Sequence, residues 1–579
     1  MTSWLRQPRT IKLALIVLAI AYAVAHVIAA LFTEAANWDE FVLLSRAERA
    51  VRTGVLDGGG RPGLGVALLV PFVDGCTSTM AVVTTLRIVW CGFTFGLLAG
   101  LFVFLRSATR REPHAWHVAA LGVALIACVP LFLRWSLQVR TDQPAIAAAL
   151  WAGVALLASR RRPALGLLAG VLVGTGYLFS QKAVYVTALI AVVAAGEHYI
   201  DRELVWRREL KRALGVLVGA ALALGAYKLI IPLVFAPSPR GGALEGGLDL
   251  FRWYRFVLRF RLYGSIVSSV VPHLVLLGLI LAAAVRAGRR DTPQRRPLQI
   301  GLLVAVLGVA VARFHTASFP YFWITIGVFP AVAIALGWAG IRELLPRAHV
   351  PVAIGAWVMV LVLGATFRGE TLQDTQQIQR DTFAFIDQHL DASMRGFHAD
   401  GGLVCRQDPD PLRVYLGQTI TFVLGGADGQ RNTAKLIEDF RSRPVAFIIQ
   451  THRLTSFPRA IREFWANHYV LYAHAVMLPG RTIAGLAAST REVDIIVPGA
   501  YRWLPGMASP AARLAIAGTQ LRPGDTITLA RGAHTAELLD PVAAGMLVLA
   551  VAAPPGSTAS PFYDAGLILE LAGARREWW

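Results

Sequence analysis

Long apolar segments separated by short polar connections fill the chain from Ile11 to Phe367. The first of them, Ile11 to Phe32, contains about 20 residues, which is enough for one helix to cross a bilayer. Further apolar segments cover residues 82–105, 114–133, 144–159, 164–180, 183–197, 213–235, 264–285, 298–313, 319–340 and 350–367. This pattern predicts a polytopic α-helical membrane protein with about 11 transmembrane helices.

The pattern changes after Phe367. Residues 378–390 have the spacing of an amphipathic helix. Short apolar runs follow at Val445 to Ile449, Tyr469 to Tyr472, Val493 to Val497, Thr526 to Leu529 and Leu547 to Val551, with turns predicted at Pro479-Gly480, Pro498-Gly499 and Pro523-Gly524. We therefore predict a membrane domain over residues 1–367 and a C-terminal, mainly β domain with some helix (α+β) over residues 368–579.

The basic residues predict how the spans are oriented. Lys and Arg are more frequent in the connections on the side of the N-terminus than in the alternate connections, and they favour the cytoplasmic side. With an odd number of spans, the N-terminus is cytoplasmic and the C-terminal domain is extracytoplasmic, as in a bacterial-type inner membrane protein with a periplasmic domain. No small-residue cleavage site follows Phe32, so the first segment is interpreted as a retained anchor.

Composition agrees with a membrane protein. Of 579 residues, 55% are hydrophobic and 16% are charged, whereas soluble domains carry about 25% charged residues. The mean hydropathy is +0.55. The excess of 56 Lys and Arg over 36 Asp and Glu is explained by basic loops beside apolar spans, so no nucleic-acid partner is expected. Neither a zinc site nor a disulfide framework is predicted from the spacing of Cys76, Cys91, Cys128 and Cys405.

Two carboxylates follow the first span. Asp39 and Glu40 precede apolar residues at helical spacing that begin with Phe41, a pattern that predicts an amphipathic helix lying on the membrane. An acid here can act as a general base or bind a cation, and it can equally stabilise a helix N-terminus through the dipole. The residues leave both interpretations open. They also leave open a divalent metal ion, for which these two carboxylates would be the ligands.

A second group of polar residues lies between the next outer pairs of spans. Arg140 and Asp142 are two positions apart at the start of a span marked by Pro144, and Lys182 lies between two apolar runs. Arg140 and Lys182 can bind an anionic ligand. An ion pair between Arg140 and Asp142, and snorkelling of Lys182 to the interface, are the structural alternatives.

Two further outer connections carry basic and aromatic residues. Arg255 belongs to a segment that is well suited to anchoring at the interface, and Arg313, His315 and Tyr321 share a short connection. Each outer connection presents charge while the spans stay apolar. We therefore expect a common polar cavity at the outer face.

Such a cavity favours chemistry on an anionic lipid. The candidates for binding a phosphate or diphosphate at headgroup depth, where stabilising the leaving group lowers the barrier, are Arg140, Lys182, Arg313 and His315. The candidates for supporting these groups or binding substrate are Asp142, Tyr321 and Arg255. Asp39 or Glu40 would take a proton from an incoming hydroxyl. The sequence has no glycine-rich phosphate loop, so ATP-driven transport is not expected.

The outer acidic pair and three further segments resemble the GT-C superfamily of polytopic glycosyltransferases. The segments are Arg61 to Phe72 (RPGLGVALLVPF), Arg140 to Asp142 and His315 to Trp323. The similarity covers roughly residues 10–367 and is nearest to the branch with protein O-mannosyltransferases and the lipid A aminoarabinose transferase. In that family the donor is a polyprenyl-phosphate sugar, and an acidic residue of the first outer loop activates the acceptor. Asp39 matches that position, with Glu40 beside it.

The resemblance implies a membrane glycosyltransferase of the cell envelope. It would move a sugar from a polyprenyl-phosphate donor to a glycan, lipid or protein acceptor on the outer face of the cytoplasmic membrane. Two alternatives stay open. An O-antigen-ligase-like transferase would use a diphosphate-linked glycan and arginine-based catalysis without Asp39. A lipid or glycan transporter without enzymatic activity would place ionisable residues at mid-membrane or in paired repeats, whereas here they gather at one face.

Overall fold

The chain forms two compact units in the computed structural model. The structure describes residues 8–56, 63–129, 132, 135–201, 205–236, 264–287, 295–314, 322–371, 374, 376–399, 403, 405–406, 429–451, 454, 457–506 and 508–552. The first unit, here called the helical unit, comprises Met1–Glu34, Arg49–Pro71 and Thr84–Gln373. The second, the β unit, comprises Ala35–Glu48, Phe72–Val83 and Asp374–Trp579. The β unit thus begins close to the predicted boundary at residue 368 and also takes in two parts of the first outer connection.

Helices occupy all of the predicted spans. They are α1 (Pro8–Thr33), α2 (Trp38–Thr53), α3 (Leu64–Ala67), α4 (Val70–Val73), α5 (Thr79–Ala108), α6 (Ala115–Ala127), α7 (Asp142–Ala158), α8 (Leu165–Phe179), α9 (Ala183–Asp201), α10 (Trp206–Val234), α11 (Gly264–Ala287), α12 (Arg295–Phe314), α13 (Trp323–Ile326), α14 (Val328–Leu344) and α15 (His349–Thr371). Among the described residues, 6 helical stretches are long and apolar enough to cross a membrane: those in α1, α5, α9, α10, α12 and α13–α14. The chain is therefore a helical, multi-pass membrane protein, and the count of about 11 crossings stays a prediction.

Glycines bring two of these helices, α8 and α10, into close backbone contact. On α8 they recur at every fourth position, as Gly166, Gly170 and Gly174. A Cβ atom on Gly170 would overlap the carbonyl oxygen of Val216, and one on Gly219 would overlap that of Leu167. Inside a bilayer such close packing replaces the hydrophobic effect as the main attraction between helices. The contact fixes α8, whose C-terminal end leads into Ser180 and Lys182.

The part of the β unit that follows Asp374 contains two sheets and three helices among its described residues. The helices are α16 (Gln377–His389), α17 (Gly429–Ser442) and α18 (Arg459–His468). The strands are β1 (Gly396–His398), β2 (Phe447–Ile449), β3 (Tyr469–Ala473), β4 (Val476–Gly485), β5 (Thr490–Ile495), β6 (Gly499–Pro505), β7 (Leu514–Ile516), β8 (Thr519–Leu521), β9 (Thr526–Leu529), β10 (Gly532–Leu538) and β11 (Val542–Leu549). The predicted mainly β domain with some helix is confirmed.

The larger sheet has the order β1-β2-β4-β11-β6-β9, with β3 also paired to β4, and the smaller sheet has the order β5-β10-β7-β8. Strand β1 is parallel to β2, and the other pairs are antiparallel. Two cores result from this arrangement. One packs Phe397 against Phe440 and Trp465, and the other surrounds Trp503 and Leu547, which lie opposite each other on β6 and β11.

One predicted turn is wrong, because Pro479-Gly480 lies inside β4. A Cβ atom on Gly480 would overlap the carbonyl oxygen of Leu547 on the neighbouring strand. The glycine therefore permits a close approach of two backbones within the sheet, which is a common use of glycine in a strand. The predicted turn at Pro523-Gly524 does form, with Gly524 at a φ of 88° between β8 and β9.

The expected amphipathic helix after the first span is α2, but its apolar face does not lie on lipid. Phe41, Leu44 and Ala47 are buried within the protein. The ring of Phe41 lies 6.1 Å from that of Phe383 and 5.4 Å from that of His398, measured between centroids. The expectation of a membrane-surface helix is wrong because an apolar stripe has the same spacing whether it covers lipid or protein.

A disulfide joins Cys76 to Cys405, so the expectation of none is wrong. The two Cα atoms are 5.3 Å apart, and 329 positions separate the residues in sequence. Cysteine spacing identifies local motifs, and a pair this distant has no such signature. The bond requires both cysteines on one side of the membrane. The spans predicted between them are even in number, which agrees with this requirement.

Polar groups surround this disulfide within the β unit. Asp387 of α16 accepts a hydrogen bond from the Ser78 side chain and lies near Arg406. Burial raises the pKa of Asp387, and the hydrogen bond from Ser78 and the charge of Arg406 oppose this rise. Burial also lowers the pKa of Arg406. The first outer connection is thus joined to α16 and its surroundings by a covalent bond and a polar contact.

Candidate active site

The loop before α7 is held by side chains that donate to its backbone carbonyls. Gln143 donates from its side-chain amide to the carbonyl oxygens of Trp135, at 3.0 Å, and Gln138, at 2.9 Å. Trp90 of α5 donates from Nε1 to the carbonyl oxygen of Arg140, at 2.5 Å. All five residues are buried. The backbone that carries Arg140 is therefore fixed before any ligand arrives.

Residues 63–65, the described part of the RPGLG segment, approach this loop from within the helical unit. Gly65 of α3 lies so close to Thr141 that a Cβ atom on the glycine would overlap the threonine methyl group. The backbone N–H of Gly63 donates to the Tyr227 hydroxyl at 3.0 Å. A Cβ atom on Gly63 would lie 2.8 Å from a methyl group of Leu56. The segment supports the loop that carries Arg140.

Asp142 lies at the centre of a buried polar cluster. Its Oδ2 atom is 2.9 Å from Lys182 Nζ and 3.6 Å from Arg140 Nε, and its Oδ1 accepts a hydrogen bond from the Ser180 hydroxyl at 3.2 Å. The exposed fractions of the Arg140, Asp142 and Lys182 side chains are 6%, 5% and 12%. The ammonium group of Lys182 also lies 5.7 Å from the centre of the Phe322 ring.

The Asp142 carboxylate contacts two cations in this cluster. Arg140 and Lys182 both lie against the same oxygen, Asp142 Oδ2. Asp142 is the first residue of α7, where the helix dipole stabilises negative charge. The ion pair expected as the structural alternative is therefore present, and it orients two cations on one side of a fixed carboxylate.

The two outer carboxylates have different surroundings. The backbone N–H of Asn37 donates to Glu40 Oε2 at 3.0 Å, and the N–H of Glu40 donates to Asn37 Oδ1 at 3.1 Å. This reciprocal arrangement is a capping box at the start of α2, and Glu40 is fully buried in it. Asp39 is only partly buried. The geometry gives Glu40 a structural function and makes Asp39 the more accessible acid.

Several predicted site residues cannot be placed next to these groups. Arg313 lies in α12, and its side chain is outside the described atoms. Arg255, His315 and Tyr321 lie outside the described residues. Within the described part of the chain, no group of three or more His, Cys, Asp and Glu side chains could hold a metal ion. Metal binding by Asp39 and Glu40 stays a prediction.

Four residues that shape these groups were not selected from the sequence: Ser180, Phe322, Trp90 and Gln379, whose side-chain amide forms hydrogen bonds with the backbone of Ala36. Ser180 had a local signal, because it stands two positions before Lys182 at the same helix end. Phe322 directly follows the Tyr321 that was selected. Trp90 and Gln379 act through contacts with distant backbone, and nothing in their own neighbourhood of the sequence marks them.

Comparison with solved structures finds similarity to membrane glycosyltransferases. They include the oligosaccharyltransferase of Archaeoglobus fulgidus, with 13% identity over 91% of this chain and 76% of that chain and a TM-score of 0.47. ArnT from Cupriavidus metallidurans bound to undecaprenyl phosphate has 16% identity over 80% of this chain and 97% of its own, with a TM-score of 0.48. The arabinofuranosyltransferase AftD from Mycobacteria has 12% identity over 92% of this chain and 58% of that chain, with a TM-score of 0.42.

No family model and no curated protein sequence matches the chain. The similarity to these solved structures concerns the fold alone. Identities of 12% to 16% and TM-scores below 0.5 leave activity and substrate to the chemistry of the site.

Proposed function

We propose that the protein is a membrane glycosyltransferase that uses a polyprenyl-phosphate sugar as donor. The observation that carries this proposal is the cluster in which Arg140 and Lys182 share one oxygen of Asp142. These groups lie at the ends of apolar helices, where burying charge is costly and usually serves a function. Two cations that contact the same carboxylate oxygen can attract a lipid-linked phosphate.

The two cations suit the chemistry of such a donor. When the bond between the sugar C1 and the phosphate oxygen breaks, its electron pair stays on the oxygen, and negative charge develops on the leaving lipid phosphate. Arg140 can donate two parallel hydrogen bonds to phosphate, and Lys182 adds a point charge. Donors that are already oriented stabilise this developing charge without reorganising. The Asp142 carboxylate keeps both cations oriented when no donor is bound.

Asp39 is the proposed general base. It would accept the proton of an acceptor hydroxyl as the oxygen attacks C1. Two observations support this role. Asp39 matches the acidic position in the first outer loop of GT-C glycosyltransferases. Asp39 is also only partly buried, whereas its neighbour Glu40 is buried in the cap of α2.

The reaction is proposed to occur on the outer face of the cytoplasmic membrane. Disulfides persist in oxidising compartments such as the periplasm, and Cys76 and Cys405 form one in the β unit. The bias of Lys and Arg towards the connections on the side of the N-terminus favours the same orientation.

The proposal is tested with the full-length protein in lipid nanodiscs. A panel of undecaprenyl-phosphate sugars and an undecaprenyl-diphosphate glycan are supplied with cell-envelope lipids and glycans as acceptors, and release of the lipid carrier is measured. We expect release from at least one monophosphate donor, reduced about 10-fold or more in Lys182→Ala and retained in Lys228→Ala, which removes an exposed lysine of α10. Release from the diphosphate donor alone supports the ligase-like alternative, and no release from any donor contradicts the proposal.

A further inference from the structure

Helix α16 of the β unit contacts the first outer connection along one face. Three of its residues stand four positions apart and so lie on the same side of the helix: Gln379, Phe383 and Asp387. In that order they contact the backbone of Ala36, the ring of Phe41 and the side chain of Ser78. The helix therefore holds the segments immediately before and after the start of α2.

The contact of Gln379 is the most specific of the three. The backbone N–H of Ala36 donates to Gln379 Oε1 at 2.7 Å, and Gln379 Nε2 donates to the carbonyl oxygen of Ala36 at 2.8 Å. Gln379 is 2% exposed and Ala36 is 1% exposed. A primary amide satisfies both backbone groups of one residue in this way, and a carboxylate in its place would present an acceptor to the carbonyl. Buried backbone groups that lose such partners are costly to leave unpaired.

The fixed backbone leads directly to Asp39. Ala36 is followed by Asn37, whose N–H and side chain are both engaged in the capping box with Glu40. Asp39 lies inside this box as the second residue of α2. Its backbone position is thus set on one side by Gln379 and on the other by Glu40.

We propose that Gln379 is a positioning residue for the Asp39 carboxylate, so that the β unit takes part in acceptor activation. This inference rests on the proposed function, since Asp39 is a base only if the protein is a transferase. Positioning within a fraction of an ångström matters because misplacing a reacting group by about 1 Å can cost about 100-fold in rate. The two hydrogen bonds of Gln379 described above are both to backbone atoms of Ala36.

The first experiment needs no substrate. Hydrogen–deuterium exchange is measured by mass spectrometry on a peptide covering residues 34–41 in the full-length protein, in Gln379→Ala and in Gln377→Ala. Gln377 is exposed on the same helix and serves as the matched control. We expect exchange about tenfold faster in Gln379→Ala, the equivalent of one lost hydrogen bond, and no change in Gln377→Ala. Unchanged exchange in Gln379→Ala overturns the inference, whatever the protein's function.

The second experiment asks whether Gln379 acts through Asp39. With the donor found active in the panel, Gln379→Ala should lower kcat about 10- to 100-fold with unchanged affinity for undecaprenyl phosphate. In the Asp39→Asn background the same substitution should change the residual rate by less than about twofold, because no base is left to position. Equal losses in both backgrounds make Gln379 merely structural and refute positioning. Full activity of Asp39→Asn refutes the base instead, and leaves the exchange result standing.

Discussion

Two of the buried polar clusters described above are assembled from very different distances along the chain. In the helical unit, Asp142 at the start of α7 meets Lys182, on the connection between α8 and α9, across 40 positions. In the β unit, Ala36 meets Gln379 across 343 positions. The first cluster concentrates charge and the second concentrates backbone hydrogen bonds. We propose that the cluster around Asp142 binds an anion and that the cluster around Gln379 holds a segment of the chain in place.

The two carboxylates that anchor these clusters have correspondingly different tasks. Asp142 faces two cations, whereas Glu40 accepts from a backbone N–H. Both are buried. Substitutions in the two clusters should therefore separate donor affinity, turnover and stability.

The largest effect is expected at Asp39. Asp39→Asn keeps the shape of the side chain and removes the charge, so the protein should fold and bind donor while transfer falls about 100- to 10,000-fold, the usual contribution of a general base. Transfer is followed by release of undecaprenyl phosphate from the donor. Near-normal transfer by Asp39→Asn, with Glu40→Gln inactive, would move the base by one residue. Near-normal transfer by the double variant would favour arginine-based catalysis.

The next largest effect concerns the stability of the helical unit. Asp142→Ala leaves two buried cations without their shared carboxylate, and breaking a buried ion pair from one side costs about 3 to 5 kcal/mol. A lower midpoint of thermal unfolding in nanodiscs is the expected result. If the variant is as stable as the parent protein, the cations are solvated or paired by other groups, and Asp142 is not their organiser.

A smaller effect is expected on donor affinity. Lys182→Ala and Arg140→Ala each remove a charge-assisted contact of about 1.5 to 3 kcal/mol, which corresponds to a roughly 10- to 150-fold weaker affinity for undecaprenyl phosphate. The affinity is measured by titration of the purified protein, with Lys228→Ala as control. Unchanged affinity in both variants would mean that Lys182 snorkels to the interface and that Arg140 serves only its ion pair with Asp142.

The smallest effect is expected at the capping box. Asn37→Ala removes a helix cap, and this typically costs about 0.5 to 2 kcal/mol of stability. Donor affinity should stay as in the parent protein, because the cap does not belong to the charged cluster. A loss of donor affinity in Asn37→Ala, with stability unchanged, would show that the capping box also contributes to donor binding.

Local patterns were sufficient for most elements and for the contact between Arg140 and Asp142. The period of residues 378–390 predicted a helix that the structure places at Gln377–His389, and the Arg140-Thr141-Asp142 spacing predicted the ion pair as one of two interpretations. Both depend on residues close in sequence, whose contacts follow from helix geometry and from short connections.

Tertiary contacts explain what the sequence did not reveal. The apolar face of α2 is covered by Phe383 rather than by lipid, and Gln379 lies on a helix whose polar residues look like a solvated face. The Cys76–Cys405 disulfide joins residues that are 329 positions apart in sequence, with all the predicted transmembrane segments after the first lying between them. A single sequence contains no local signal for such pairings, because they depend on how distant segments meet after folding.

The Cys76–Cys405 bond also bears on how the protein is made. Cys76 leaves the ribosome early, and Cys405, 329 positions later, follows all the helices between them. The insertion machinery must therefore deliver an even number of crossings before the two sulfur atoms can meet in an oxidising compartment. The bond can therefore form only after the segment between the two cysteines has been translated and Cys405 has reached the same side of the membrane as Cys76.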